Sequence, residues 1–197
     1  MHWILWPLFS YLLGAVPFGL VLAKLVKGVD IRTEGSRNTG ATNVARTCGL
    51  PLGLAALALD ILKGLAPALL AAKMSDNWLF LSLSALAPIL GHVYSPFLGF
   101  KGGKAVATTI GAFLGLAFLP TLISVLLCVA AILASGYVSL GSLVFGAALP
   151  VSMLLSGNAR FAAVALAVTL LLYWRHRENI ARLLRGEENS WRKSKNK

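Results

Sequence analysis

The sequence contains few of the residues that soluble enzymes use for acid–base and metal chemistry. Its 197 residues include seven acidic side chains, three histidines and two cysteines. No aspartate-rich cluster could hold magnesium, and the dispersed histidines and cysteines lack the spacing of a zinc site. Cys48 and Cys128 form no CxxC motif, and no GxSxG motif marks a serine hydrolase. These absences argue against metal-assisted phosphoryl transfer and against a disulfide framework, and no metal or cofactor is predicted.

Apolar residues, in contrast, recur along almost the whole chain. They make up 57% of the sequence, whereas charged residues make up 13%. Because a helix needs about 20 apolar residues to cross a bilayer, the pattern predicts an all-α polytopic membrane protein with about seven transmembrane helices. We expect one catalytic membrane domain over residues 1–188 and a basic tail over 189–197. The candidate spans cover residues 4–24, 50–72, 78–94, 105–118, 121–134, 140–155 and 161–174.

The positive charges predict the orientation in the membrane. The net charge of +11 comes from basic residues between the apolar runs, which favours anionic lipid headgroups over nucleic acid as the partner. They concentrate after the first and third spans and in the tail, whereas the opposite side carries only Lys73 and Arg160. By the positive-inside rule, the C-terminus is cytoplasmic and the N-terminus is outside. An odd number of spans requires a turn between the fourth and fifth, which we place at Pro120.

The first polar joint, residues 34–46, reads EGSRNTGATNVAR and is dense in hydrogen-bonding groups. Hydroxyls and amides can bind an oxyanion, and an arginine can bind one with two parallel hydrogen bonds. A simple turn with a helix cap is the alternative. The cost of polar groups at membrane depth favours a functional site. The candidate residues are Gly35, Ser36, Asn38, Gly40, Thr42, Asn43 and Arg46.

The second polar joint, residues 91–104, reads GHVYSPFLGFKGGK. Lys101, Gly102, Gly103 and Lys104 directly precede an apolar helix. Glycines allow backbone N–H groups to approach a phosphate closely, and the positive end of the helix adds to the field. The GxxxxGK[ST] motif of a P-loop is absent. His92 could be a general base, a ligand or a buried structural residue, and its isolation favours the structural role.

The third polar stretch, residues 175–188, reads RHRENIARLLRGEE. His176 and Asn179 are three residues apart and share a helix face, while the arginines suit a helix at the membrane surface. Ser139 and Ser142, in the short joint over residues 135–142, could add hydroxyl groups to a site.

One charged pair lies inside a predicted span. Asp60 and Lys63 are three residues apart in the second span, where charges are rare and are normally paired or functional. A mutually neutralising structural pair is the favoured interpretation, with a proton relay as the alternative.

Together these stretches resemble the integral-membrane bacterial acyl-phosphate:glycerol-3-phosphate acyltransferases. The resemblance rests on residues 35–43, on Gly91 and His92 with residues 100–104, and on residues 175–180. Arg37 stands where the family often has glycine. The resemblance implies transfer of a fatty acyl group from acyl-phosphate to the sn-1 hydroxyl of glycerol 3-phosphate. The products would be lysophosphatidic acid and phosphate, made on the cytoplasmic side of the bacterial inner membrane in the first acylation of phospholipid synthesis.

The resemblance also implies a role for each stretch. Residues 101–104 would bind one phosphate, with that of glycerol 3-phosphate favoured. The other phosphate and the carbonyl would be bound or polarised by Ser36, Asn38, Thr42, Asn43 and Arg46. The sequence leaves open which stretch binds which phosphate. His176, oriented by Asn179, would orient or deprotonate the glycerol hydroxyl, although a substrate phosphate could take the proton instead. Because acyl-phosphate is a mixed anhydride with a good leaving group, no covalent intermediate is required. The predicted substrate-binding set is completed by His92, Ser139 and Ser142.

Two rival functions remain open at this point. An acyltransferase that uses another acyl donor is disfavoured, because none of His2, His92 or His176 has an aspartate five residues later. A transporter of phosphate or of an organophosphate is the second rival. The polar motifs of this chain cluster at one face and not at the midplane of two related repeats, which favours the enzyme. The sequence leaves the oligomeric state open.

Overall fold

The computed structural model describes residues 1–192, and every regular element in this range is a helix. The all-α expectation is therefore confirmed. Residues 193–197, the end of the predicted basic tail, lie outside the described residues. Five segments are long and apolar enough to cross a membrane: His2–Lys27, Leu50–Met74, Trp78–Leu98, Phe118–Ser135 and Val138–Leu155.

The chain divides into two compact units, one of residues 1–116 and one that begins at Ala117. The first unit contains six helices: α1 (His2–Ala15), α2 (Phe18–Lys27), α3 (Ala41–Cys48), α4 (Leu50–Met74), α5 (Trp78–Val93) and the shorter apolar α6 (Val106–Leu116). The second unit contains α7 (Phe118–Ser135), α8 (Val138–Leu155), α9 (Ala162–Arg175) and α10 (Arg177–Leu184).

Glycines allow the helices of the first unit to pack closely. Helix α4 packs against α6, where a Cβ on Gly64 would overlap the carbonyl of Thr108. Helix α1 packs against α5, where a Cβ on Gly91 would overlap the carbonyl of Tyr11. Small residues that bring backbones together are typical of helix contacts in membranes, because no hydrophobic driving force acts between helices there.

The first predicted span, residues 4–24, consists of two helices with a break at Val16. The following residue, Pro17, has no N–H and disfavours helical backbone at the residue before it. Val16 is accordingly extended, with φ −61° and ψ 119°. The Nζ of Lys63 donates to the Val16 carbonyl at 2.9 Å. A polar side chain of α4 thus satisfies a backbone group at the break.

The break between the fourth and fifth predicted spans lies at Ala117, not at Pro120. Ala117 is extended, with φ −155° and ψ 91°, and α7 begins at the next residue. Pro120 lies in the first turn of α7, where its missing N–H costs no intrahelical hydrogen bond. The prediction of a break was confirmed, but its assignment to the proline was wrong.

The second unit packs α7 against α8 and α8 against α9. Hydroxyl groups in these helices satisfy neighbouring carbonyls. Thr169 donates to Gly146 at 2.6 Å, and Tyr173 donates to Leu143 at 3.1 Å. These interhelical hydrogen bonds fix α9 against α8. They also give partners to hydroxyl groups packed between helices, where an unpaired polar group would be costly.

Candidate active site

The first polar joint is organised around the buried side chain of Asn43, in the first turn of α3. The two hydrogens of its Nδ2 are shared among three carbonyls, those of Ile31 at 2.8 Å, Glu34 at 3.1 Å and Asn38 at 3.0 Å. Its Oδ1 accepts from the Ser36 N–H at 2.8 Å. Asn43 was predicted to bind substrate, but these contacts give it the role of holding the loop together.

Three of the predicted oxyanion ligands lie on the outside of this loop. Ser36, Thr42 and Arg46 are exposed, so their side chains remain accessible to a substrate. Asn38 is half-buried and accepts from the Gly40 N–H at 2.9 Å, which shapes the turn before α3. The neighbouring Arg37 has a φ of 56°. Glycine adopts this left-handed backbone without strain. The backbone therefore accounts for the glycine that the resembled family often has where this sequence has Arg37.

The glycine pair of the second joint packs on the carboxyl end of α5. The Gly102 N–H donates to the Val93 carbonyl at 3.0 Å, and the Gly103 N–H donates to the His92 carbonyl at 3.1 Å. A Cβ on Gly102 would overlap the His92 carbonyl, and a Cβ on Gly103 would overlap His92 Nε2. The glycines were expected to offer their amides to an anion. The structure instead uses both amides to dock the loop on α5.

The two lysines beside this glycine pair differ in burial. Lys101 is exposed, whereas Lys104 is half-buried. The loop is closed on each side by a non-glycine residue in left-handed backbone, Phe100 with φ 63° and Ala105 with φ 60°. Such conformations are unfavourable for side-chain-bearing residues and persist only where the surrounding structure imposes them. The loop therefore presents its lysines from a fixed backbone.

The first and second joints, about sixty positions apart in the chain, meet at Thr39. A Cβ on Gly103 would lie 3.1 Å from Thr39 Oγ1, and a Cβ on Gly19 would overlap the Thr39 carbonyl. Thr39 is buried and was not among the predicted site residues. Its position between Asn38 and Gly40 in a run of predicted ligands was the available signal. The structure thus brings two predicted anion-binding stretches into contact.

His92 is buried at the end of α5, and its ring faces α6 and α4. Its Nδ1 lies 3.2 Å from the hydroxyl of Thr108 and 3.8 Å from Oδ1 of Asp60. Asp60 also pairs with Lys63 at 2.7 Å, and both side chains are almost fully buried. The predicted Asp60–Lys63 pair is therefore confirmed.

In the second unit, the predicted His176 and Asn179 lie at the junction of α9 and α10. Both are buried, and His176 is the single residue between the end of α9 and the start of α10. His176 Nδ1 lies 2.7 Å from the Leu172 carbonyl. A carbonyl oxygen can only accept, so Nδ1 carries the proton, and in the neutral ring Nε2 is an acceptor. This is the tautomer that a general base requires.

Sequence reasoning missed Glu188, which joins the predicted polar residues of this unit. Its Oε1 accepts from Asn179 Nδ2 at 2.7 Å and from the Ser139 hydroxyl at 2.9 Å, and its Oε2 accepts from Arg182 Nε at 2.7 Å. Ser142 lies one turn after Ser139 in α8 and donates to the Val138 carbonyl at 2.9 Å. The only sequence signal was an acidic pair after a glycine, which is typical of a solvated helix end.

The Glu188 contacts predict a pH-dependent stability. Burial disfavours the charged form, but the hydrogen bonds from Asn179, Arg182 and Ser139 outweigh it and lower the pKa of the carboxyl group. A lowered pKa stabilises the fold above the unfolded value of about 4.3, and this contribution is lost as the pH falls through the folded value. Because Glu188→Gln removes a nearly buried charge that three donors share, we expect it to lower the thermal midpoint in detergent at pH 7 by roughly 5 °C.

The adjacent Glu187 provides the control. It pairs with Arg185 at 2.7 Å, but both side chains are more than half exposed, so Glu187→Gln should leave the midpoint nearly unchanged. The difference between Glu188→Gln and the unsubstituted chain should shrink when the scan is repeated below about pH 4. Equal midpoints for the two variants at pH 7 would contradict the role given to Glu188.

Comparison with known proteins identifies the family. The sequence profile of the family described as glycerol-3-phosphate acyltransferase matches residues 4–186. A curated glycerol-3-phosphate acyltransferase of Maridesulfovibrio salexigens is 54% identical over 195 residues, which cover 99% of this chain and all of that protein.

Solved structures agree with the sequence comparison. The fold is similar to two crystal structures of PlsY, an integral membrane glycerol 3-phosphate acyltransferase, in its glycerol 3-phosphate and lysophosphatidic acid forms. The first has a TM-score of 0.93 at 41% identity and covers 97% of this chain and 96% of that chain. The second has a TM-score of 0.90 at 41% identity, covering 96% and 95%. The predicted all-α membrane fold and the predicted resemblance are both confirmed, and the chain belongs to the glycerol-3-phosphate acyltransferase family.

Proposed function

We propose that this membrane-bound enzyme transfers a fatty acyl group from acyl-phosphate to the sn-1 hydroxyl of glycerol 3-phosphate. The products are lysophosphatidic acid and inorganic phosphate. Membership of the acyltransferase family supports the acceptor and the product, because relatives of this fold have been solved with glycerol 3-phosphate and with lysophosphatidic acid. The choice of acyl-phosphate as donor rests on the resemblance described above, and it fits a unit with two anion-type stretches.

The observation that carries the proposal is the contact between the two anion-type stretches of the first unit. Thr39, in the first stretch, lies beside Gly103, in the second. The exposed Ser36 and Arg46 and the lysines of residues 101–104 all belong to the first unit. Both substrates carry a phosphate group, and a reaction between them needs donors for two anions. Arginine suits a phosphate with two hydrogen bonds, and lysine supplies a point charge.

The two phosphates are assigned to different stretches. Lys101 and Lys104, held by the docked glycine pair, bind the phosphate of glycerol 3-phosphate. Ser36, Thr42 and Arg46 bind the phosphate of the donor and polarise its carbonyl, so that negative charge is stabilised as the hydroxyl attacks. The remaining members of the predicted set in this unit, namely Gly35, Asn38, Gly40, Asn43 and His92, shape these two stretches.

The attacking hydroxyl must lose its proton as the new ester bond forms. His176 takes this proton through Nε2, while its Nδ1–H donates to Leu172. Glu188 accepts from Asn179 of α10 and from Ser139 of α8, and Ser142 lies one turn further along α8. These contacts hold α10, which begins directly after the histidine, against α8. The bond between carbonyl carbon and phosphate oxygen breaks, and phosphate leaves as a stable anion. The binding geometry and the electrostatics therefore provide most of the catalysis.

We place the enzyme in the bacterial inner membrane, with residues 34–46 and 91–104 facing the cytoplasm. Basic residues mark both joints and are sparse between the other helices, as the positive-inside rule requires. Five spans, the shorter apolar helix α6 and the 14-residue α9 are compatible with seven crossings, a locally thin bilayer accommodating the two shorter helices. A cytoplasmic active site lets the enzyme take its water-soluble acceptor from inside the cell.

The test is to mix purified protein in detergent with acyl-phosphate and glycerol 3-phosphate and to follow phosphate release and lysophosphatidic acid together. We expect the two products in equal amounts, no phosphate above the spontaneous rate without glycerol 3-phosphate, and no effect of a chelator. Parallel reactions offer acyl-CoA or acyl carrier protein as the donor. Product formation from either of these, but not from acyl-phosphate, would refute the proposed donor.

A further inference from the structure

The buried ion pair of α4 connects three other helices of the first unit. Asp60 and Lys63 are 2% and 3% exposed. Placing two charges inside a membrane helix is costly even when they neutralise each other. If the two charges only neutralised each other, two apolar residues could replace them. The contacts of the pair with its surroundings therefore indicate what further role it has.

Each member of the pair reaches a different neighbour. Lys63 Nζ donates to the Val16 carbonyl at 2.9 Å, at the break between α1 and α2. Asp60 Oδ1 lies 3.8 Å from Nδ1 of His92, at the end of α5. The pair thus fixes the break at one side and faces the imidazole ring of His92 at the other.

The ring of His92 lies between this carboxylate and the second anion-type joint. Thr108 Oγ1, from α6, is 3.2 Å from the same Nδ1. The opposite edge of the ring faces the loop, since a Cβ on Gly103 would overlap Nε2 and would lie 3.1 Å from Cδ2. At 3.8 Å the carboxylate is beyond hydrogen-bond distance of Nδ1, so it acts through its charge, which favours the ring form with a proton on that nitrogen. The N–H of this form donates to Thr108 Oγ1, and this hydrogen bond orients the ring.

We propose that Asp60 and Lys63 are positioning residues for glycerol 3-phosphate, acting through His92. The charge of Asp60 favours the His92 ring form that donates to Thr108 and lies beside Gly103, and Lys63 holds the carboxylate in place. The ring supports the loop that presents Lys104. This inference rests on the proposed function, in which that loop binds the phosphate of the acceptor.

The test separates positioning from stability. Asp60→Asn should raise the KM for glycerol 3-phosphate about tenfold and leave the kcat within about twofold, because the loop binds the phosphate equally in the ground state and the transition state. The KM for the acyl donor should not change. Ser84→Ala is the matched control, because Ser84 is a buried polar residue of α5 that donates to the Phe80 carbonyl and lies outside this network.

A second variant distinguishes the proposal from a merely structural pair. Asp60→Asn leaves the charge of Lys63 buried and unpaired, which destabilises the fold. The double variant Asp60→Asn with Lys63→Met removes both charges, so its thermal midpoint should recover toward that of the unsubstituted chain. Its KM for glycerol 3-phosphate should stay raised, since no carboxylate faces His92. Recovery of the KM together with the midpoint would overturn the proposal, as would an unchanged KM in folded Asp60→Asn.

The unsubstituted chain, measured in the same experiment, separates failure of the proposed reaction from failure of the proposed positioning role. Glycerol 3-phosphate added alone should raise its thermal midpoint, and this rise should shrink in both variants. If the unsubstituted chain shows this rise but uses another acyl donor, the proposed reaction fails, and the positioning role stands only where the rise shrinks in both variants. If it shows neither the rise nor turnover, both fail.

Discussion

The substitution Gly102→Ala is expected to lower kcat/KM for glycerol 3-phosphate by at least about 100-fold. The new Cβ would overlap the carbonyl oxygen of His92, and the Val93 carbonyl oxygen lies only 2.9 Å away. Both belong to the backbone of α5, which cannot move aside as a side chain can. The loop must lift off α5, losing the hydrogen bond from Gly102 to Val93. Lys101 and Lys104 are then displaced from the position in which we propose that they bind phosphate.

Gly157→Ala provides the control for this prediction. Gly157 has a φ of 74°, and no atom lies within 4 Å of the place that a Cβ would take, so alanine there introduces backbone strain without a clash. We expect a small loss of thermal stability, on the order of 1 kcal/mol, and unchanged kinetics. Activities are compared on folded protein recovered by gel filtration. A Gly102→Ala enzyme with near-normal kcat/KM would show that the docking of the loop on α5 does not matter for the reaction.

The substitution His176→Ala should lower kcat by about 10²- to 10⁴-fold, the usual contribution of a general base. The Leu172 carbonyl fixes the proton on Nδ1, so Nε2 is the basic nitrogen of the neutral ring. Removal of the ring takes away the proposed proton acceptor but leaves in place the residues of the first unit that we propose bind phosphate. We therefore expect the KM for glycerol 3-phosphate to change by less than about threefold.

His2→Ala is the matched histidine control, because His2 packs on Phe80 with ring centroids 5.4 Å apart and has no role in the proposed chemistry. Its kcat should be that of the unsubstituted enzyme. If His176→Ala retained most of its kcat, the proton would have to go to a phosphate oxygen of the substrate. His176 would then be a structural residue that joins α9 to α10.

The helices were the part of the fold that the sequence could predict well. The predicted spans over residues 50–72, 78–94 and 140–155 lie within two residues of α4, α5 and α8 at each end. Long apolar runs bounded by polar residues determine such helices. The break at Val16 was missed because the apolar run continues through it, although Pro17 was a visible signal.

The sequence indicated which stretches form the candidate site better than it indicated the role of each residue within them. A dense run of amides and hydroxyls identifies a polar loop, but it does not say which members face inward. Asn43 turned out to be the centre of its loop, and Thr39 the point of contact with Gly103, because tertiary packing decides both. Glu188 could not be foreseen, since its three partners come from α8 and α10 and are brought together only by the fold.

The hydrogen bonds of Asn43 have a consequence for how the first joint meets its ligand. All four partners lie within residues 31–43, so contacts within its own sequence order this loop. The conformational entropy of the loop is lost when the chain folds. Binding then requires little further ordering of the backbone, and preorganised sites keep more of their interaction energy as affinity. If this joint binds the acyl donor as proposed, the donor therefore meets a preformed loop.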